Sequence, residues 1–144
     1  MSSDAVDGRG FRNQKESQVQ RLVSAMLIVV GIIHLLPLSG VLGGERLASL
    51  YGMSFEEANI AILMRHRAVL FGLFGLFLVY AAFRPSLQPL AFAAGFASVA
   101  SFLALAYSTG GYNAGIARVV TADWVALVCL VVGAGAAVAA SRGG

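Results

Sequence analysis

Five ionisable side chains stand in stretches that are otherwise apolar: His34, the adjacent Arg65, His66 and Arg67, and Asp123. Arginine supplies a fixed charge with several donors, imidazole donates or accepts, and a carboxylate accepts, so together they can hold an anionic or carbonyl-bearing head group or pass a proton. Ile60 to Met64 precede the Arg-His-Arg triplet and Ala68 to Phe83 follow it, all apolar or small. Ionisable groups in such surroundings are solvated poorly and are therefore candidates for a site. Simple anchoring at a membrane surface is the competing expectation. The apolar runs Ala68 to Phe83 and Trp124 to Ser141 cover only about 24 and 27 Å as helix, against roughly 30 Å of hydrocarbon.

The elements that position these residues follow from composition. Hydrophobic residues make up 58% of the 144-residue chain and charged ones 12%, with a mean hydropathy of +0.81. That is more apolar than a soluble core of this size requires. The apolar runs predict four helices, about Leu22 to Val41, Phe55 to Phe83, Leu87 to Ser108 and Ala114 to Ala140. The expected fold is an all-α integral membrane four-helix bundle. Residues 1–20 are polar and lack apolar periodicity, which predicts a disordered cytoplasmic tail, leaving 21–144 as the four-span domain.

Orientation is read from the cations. Arg9, Arg12, Lys15 and Arg21 precede the first span, Arg84 lies between the second and third, and Arg142 follows the fourth. The opposite side has Arg46 beside Glu45, Glu56 and Glu57. The positive-inside rule then predicts cytoplasmic N and C termini. A signal peptide would explain the first apolar run only if a small-x-small cleavage pattern followed it, and none does. The loop between the first two spans carries its own signals. Glu45 to Tyr51 predicts a short surface helix ended by Gly52, and Ser54 with Glu57 makes a capping box for the second span.

Lipid-embedded helices approach closely where small residues line up. Ala61, Arg65, Ala68, Gly72 and Gly75 form such a stripe on the second span, so Arg65 is expected to face the other helices. Arg67 shares its face with Ile60, Met64, Phe71, Phe74 and Leu78, and is expected to snorkel from a lipid-directed surface towards the head groups. On the third span Ala94, Ala97, Ser101, Ala104 and Ser108 form the corresponding stripe. Counting rise along antiparallel helices puts His34, Arg65, His66 and Asp123 at one level, in the outer leaflet. An Arg65–Asp123 ion pair is the expected centre, each charge offsetting the other's desolvation. Pro37 would free a backbone carbonyl close by, and Tyr107, Tyr112 and Trp124 suit an aromatic belt.

One outward span, a loop with Leu50-Tyr51-Gly52, then Leu63-Met64-Arg65-His66-Arg67-Ala68 followed by Gly72 and Gly75 resembles the DoxX-like superfamily of small four-helix bacterial membrane proteins. The resemblance covers about Leu22 to Ala140. It implies a multi-pass protein of the bacterial inner membrane, with Arg65 or Arg67 and the two glycines in recurrent positions, and for some members a quinone or thiol redox partner. Relatives are sometimes labelled phosphopantetheine adenylyltransferase, but the T/H-x-G-H motif of that soluble α/β enzyme is absent here.

Three functions compete at this stage. The first is a binding or accessory subunit whose outer-leaflet pocket holds an anionic or quinone-like amphiphile through His34, Arg65, His66, Arg67 and Asp123. The second is an electron-transfer protein with b-type haem between His34 and His66. The third is a small dimeric proton-coupled transporter in which Asp123 titrates against Arg65. No nucleophile is paired with a base and no metal-ligand spacing occurs, so enzyme activity is the weaker expectation. The single cysteine, Cys129, excludes an internal disulfide or a cysteine-clustered metal. The cations form no stripe with interleaved aromatics, which argues against nucleic acid. The expected partners are the bilayer, a hydrophobic small molecule or quinone, and further copies or subunits of a membrane complex.

Overall fold

A computed structural model describes residues 3–142, with side chains from Gly10 onward. Its elements are α1 (Ser3–Leu35), a 3-10 segment (Leu36–Leu42), α2 (Gly44–Tyr51), α3 (Ala58–Ala82), a short 3-10 turn (Pro85–Leu87), α4 (Gln88–Thr109) and α5 (Ala114–Arg142). The described residues contain no strand. Four stretches, Gly10–Leu42, Ala58–Ala82, Pro85–Thr109 and Ala114–Arg142, are long and apolar enough to cross a membrane.

Local chemistry sets the boundaries. Pro37 has no N–H for the carbonyl of Ile33, so the α-helical ladder of α1 stops there and the chain tightens into the 3-10 segment. Gly52 closes α2 in the left-handed region at φ 66°, its N–H donating to the Ala48 carbonyl. The surface helix and its glycine stop are therefore where the sequence places them. The start of the second span is not. Glu57 itself is the N-cap, and its carboxylate accepts from the backbone N–H groups of Asn59 and Ile60, so Ser54 and Phe55 stay outside the helix. The polar stretch expected to be a disordered tail also differs, because α1 is helical from Ser3. Its residues from Gly10 to Gln18 are solvent-exposed, and this segment extends α1 without joining the core.

Helix α1 packs along both α3 and α5, α4 packs on α5, and α3 approaches α4 more sparsely; α3 and α5 do not meet. Among the long helices the closest backbone approach is between α1 and α3. A Cβ on Gly75 would lie 2.7 Å from the Gly31 carbonyl oxygen, and one on Gly31 would lie 2.9 Å from the Gly75 oxygen. The core between the helices is aliphatic, with Val23, Leu27, Val30, Leu78, Val99 and Leu130 almost fully enclosed. Leu47, Tyr51 and Phe55 form a second, smaller cluster that seats α2 across one end of the long helices.

The buried faces correct two expectations. On α3 the small stripe does pack, with Ala68, Gly72 and Gly75 buried, but Leu78 is fully enclosed and Phe71 and Phe74 are half-buried. The outward face is instead Ile62, Leu63, Leu70, Leu73, Leu76 and Tyr80. On α4 the buried positions are Gln88, Ala91, Phe92, Gly95, Val99, Leu103 and Ala106, while most of the small residues expected to pack are exposed. Small residues mark where two backbones touch; a buried face also includes the large side chains that fill the space where helices stand apart.

Candidate functional site

The gap between α3 and α5, roofed by α2, is a cavity of about 330 Å³. Arg67 and Phe71 enter it from α3, Phe102 from α4, Arg118 and Asp123 from α5, His34 from α1 and Tyr51 from α2. Ile33, Leu36, Leu50 and Val119 make much of the remaining wall apolar. Arg67 stands nine residues past the start of α3 and Asp123 nine past the start of α5. At 1.5 Å per residue both lie about 14 Å from the same end of the helices.

Asp123 is 9% exposed. Neither it nor Arg67 has a hydrogen-bond partner among the described residues, and they do not form an ion pair within 4.0 Å. Among the described residues no buried side-chain polar atom is sealed away without a partner, so the Asp123 oxygens look onto the cavity. The charge that acts on Asp123 is that of Arg67. Arg67 itself is held by aromatic faces, its guanidinium carbon 4.9 Å from the Phe71 centroid and 5.9 Å from those of Tyr51 and Phe102. The cavity therefore has a donor-rich wall and an acceptor wall that do not satisfy one another.

His34 is 2% exposed and already satisfied. Its Nδ1 lies 2.9 Å from the Val30 carbonyl, an acceptor only, so Nδ1 carries the proton. In the neutral ring Nε2 then accepts from the Ser98 hydroxyl at 3.2 Å. Phe71 stacks on the ring at 5.6 Å and Phe74 meets it edge-on at 5.0 Å. His34 thus ties α1 to α4 and supplies an inner wall.

The roof is fastened to α5. Asn113 caps that helix, its Oδ1 accepting from the Ile116 N–H, while its Nδ2 donates to the Tyr51 and Gly52 carbonyls at 2.9 and 3.1 Å. Gly115 lies so close beneath the Tyr51 carbonyl that a Cβ there would overlap it. Burial pushes the Tyr51 phenol above its ordinary pKa, and the Arg67 charge opposes that shift.

The other sequence-nominated groups lie elsewhere. Arg65 is exposed, and its Nε donates at 3.1 Å to the Val41 carbonyl at the end of the 3-10 segment. His66 is exposed and is not part of the cavity wall. The expected Arg65–Asp123 pair is therefore replaced by an unpaired Arg67 and Asp123 facing one space, and the transporter scheme built on that pair loses its geometry. A haem between His34 and His66 does not fit either, because both His34 nitrogens are engaged within the protein and the exposed His66 does not line the space His34 faces. Arg118, Tyr51, Phe102 and Asn113 have no place in the sequence-level site. For Arg118 a signal existed, a cation five residues before Asp123 on the same apolar helix.

Compared with family profiles, with curated proteins and with solved structures, the chain finds no match in any of the three. The fold and site define a multi-helix protein with four candidate spans and, at the α2 end, a largely apolar cavity into which Arg67, Arg118 and Asp123 project.

Proposed function

We propose that this chain is a small integral membrane binding or accessory subunit, a four-helix bundle of the bacterial inner membrane with cytoplasmic termini and DoxX-like ancestry. Its cavity holds the head of an anionic or quinone-like amphiphile. The observation that carries this reading is the buried, unpaired Asp123 facing the same cavity as an unpaired, aromatic-flanked Arg67. Holding two opposite charges in a mostly apolar cavity carries a desolvation cost even where water reaches them. A bound polar group between them removes that cost, and the apolar wall takes the rest of the molecule.

Native mass spectrometry on protein extracted with its lipids tests this. Wild type should retain a small amphiphile, Arg67→Gln should lose it, and Arg65→Gln should keep it. Equal retention by all three, or no retained species in wild type, would overturn the proposal.

A further inference from the structure

We propose that the head group in this cavity is a phosphate that carries a primary amine, as in an ethanolamine phospholipid: Arg67 and Arg118 take the phosphate oxygens and Asp123 takes the ammonium. The inference rests on the binding role just described and narrows its anionic head to one that also carries an ammonium, in place of a quinone.

A ligand that is only an anion would suit the two guanidiniums but would bring its charge towards a buried carboxylate with no other partner. A ligand that only accepts hydrogen bonds leaves Asp123 equally unmet, since an ionised carboxylate also only accepts. A ligand that is only a cation meets Asp123 and leaves Arg67, and the solvent-exposed Arg118 at the cavity edge, without an anion. What satisfies both walls is one head with anionic oxygens on one side and N–H donors on the other. Two guanidiniums favour phosphate over carboxylate, because a phosphate group offers each arginine its own oxygens.

The aromatic residues sharpen the choice of amine. Tyr51, Phe71 and Phe102 could otherwise cage a quaternary ammonium, but the Arg67 guanidinium already lies against all three. A trimethylated nitrogen would find that position taken, and it has no N–H to give Asp123. A primary amine fits where choline does not. Ile33, Leu36, Leu50 and Val119 offer an apolar surface to the part of a lipid nearest its head.

The test uses the full chain in nanodiscs of mixed lipid, with retained lipids counted by native mass spectrometry. Equal amounts of phosphatidylethanolamine, phosphatidylcholine and phosphatidylglycerol should leave the ethanolamine lipid enriched about tenfold over the choline lipid, the worth of a charge-assisted hydrogen bond. Asp123→Asn should bring that ratio close to one while phospholipid is still retained, and Asp123→Glu should restore it. Water-soluble phosphoethanolamine, added in excess, separates two sources of the same chemistry: displacement assigns the free head group, and failure to displace assigns the lipid. Equal retention of ethanolamine and choline lipids by wild type would overturn the amine assignment. If that retention still required Arg67, the binding role would stand without it; if it did not, both would fall.

Discussion

Arg65 and Arg67 are two residues apart, which is 200° around a helix, and that angle decides which of them reaches the cavity. Residue type and depth were legible in the chain. Counting rise puts Arg65, His66 and Arg67 at nearly one depth with His34 and Asp123, but the member of that triplet that lines the cavity is Arg67, which was expected to face lipid, and not Arg65 or His66. The face was not legible, since it depends on where α3 stands apart from α5, and no local pattern records that distance. Arg65 instead bonds a carbonyl at a helix end, where a cation is favoured. Arg65→Ala should lower thermal stability in detergent by about 1 kcal/mol, the worth of one exposed hydrogen bond, with no change in retained ligand. At the start of α3, the N–H groups of Asn59 and Ile60 hold the Glu57 carboxyl below its usual range. Because its folded pKa is depressed, the cap contributes fully above the unfolded value of 4.5 and fades as pH falls through the folded one. The difference in melting temperature between wild type and Glu57→Ala should therefore be constant near neutrality and shrink in acid. A difference that grows on acidification would contradict the cap.

Elements were legible where a single residue dictates the backbone. Gly52 stops α2 because its left-handed φ suits glycine, and Pro37 ends the α-helical part of α1 because it lacks a donor. The stripe Ala68, Gly72 and Gly75 on α3 was readable because close approach admits only small side chains, whereas the α4 stripe was misleading because small residues also occur on open faces. The Gly31–Gly75 crossing makes this measurable. An added methyl at Gly75 meets backbone oxygen on one side and Leu35 at 2.8 Å on the other. Since a backbone cannot rotate away, α1 and α3 must separate. Gly75→Ala should destabilise by about 1–3 kcal/mol. Gly135→Ala, with nothing within 4 Å of its Cβ position, should be neutral or gain up to about 1 kcal/mol of helix propensity. Equal midpoints for the two variants in a detergent unfolding series would show that the crossing is not tight.

At the scale of the molecule, the cavity is built from every long helix and α2, so its location on one side of the membrane follows from how the whole chain is inserted. The two ends differ in charge. Arg84, Arg142, Arg21, Lys15 and Arg12 belong with Glu16 to the end opposite α2, whereas near α2 Glu45, Glu56, Glu57 and Asp123 balance Arg46, Arg65, Arg67 and Arg118. If the chain sits in a bacterial inner membrane as proposed, the cation-rich end is held back by the positive-inside rule, and α2 and the cavity mouth should face the periplasm. Ser54, just after α2, and Ser86, in the turn between α3 and α4, are both exposed and lie at opposite ends of α3. With Cys129 replaced by alanine to remove the only thiol, Ser54→Cys should react with a membrane-impermeant maleimide in intact cells. Ser86→Cys should react only after the membrane is opened. The reverse pattern would place the cavity mouth on the cytoplasmic side, where a head group would have to arrive from the inner leaflet. Labelling of both positions in intact cells would mean that the chain inserts in two orientations, and a cavity with a fixed outward mouth would then have to be abandoned.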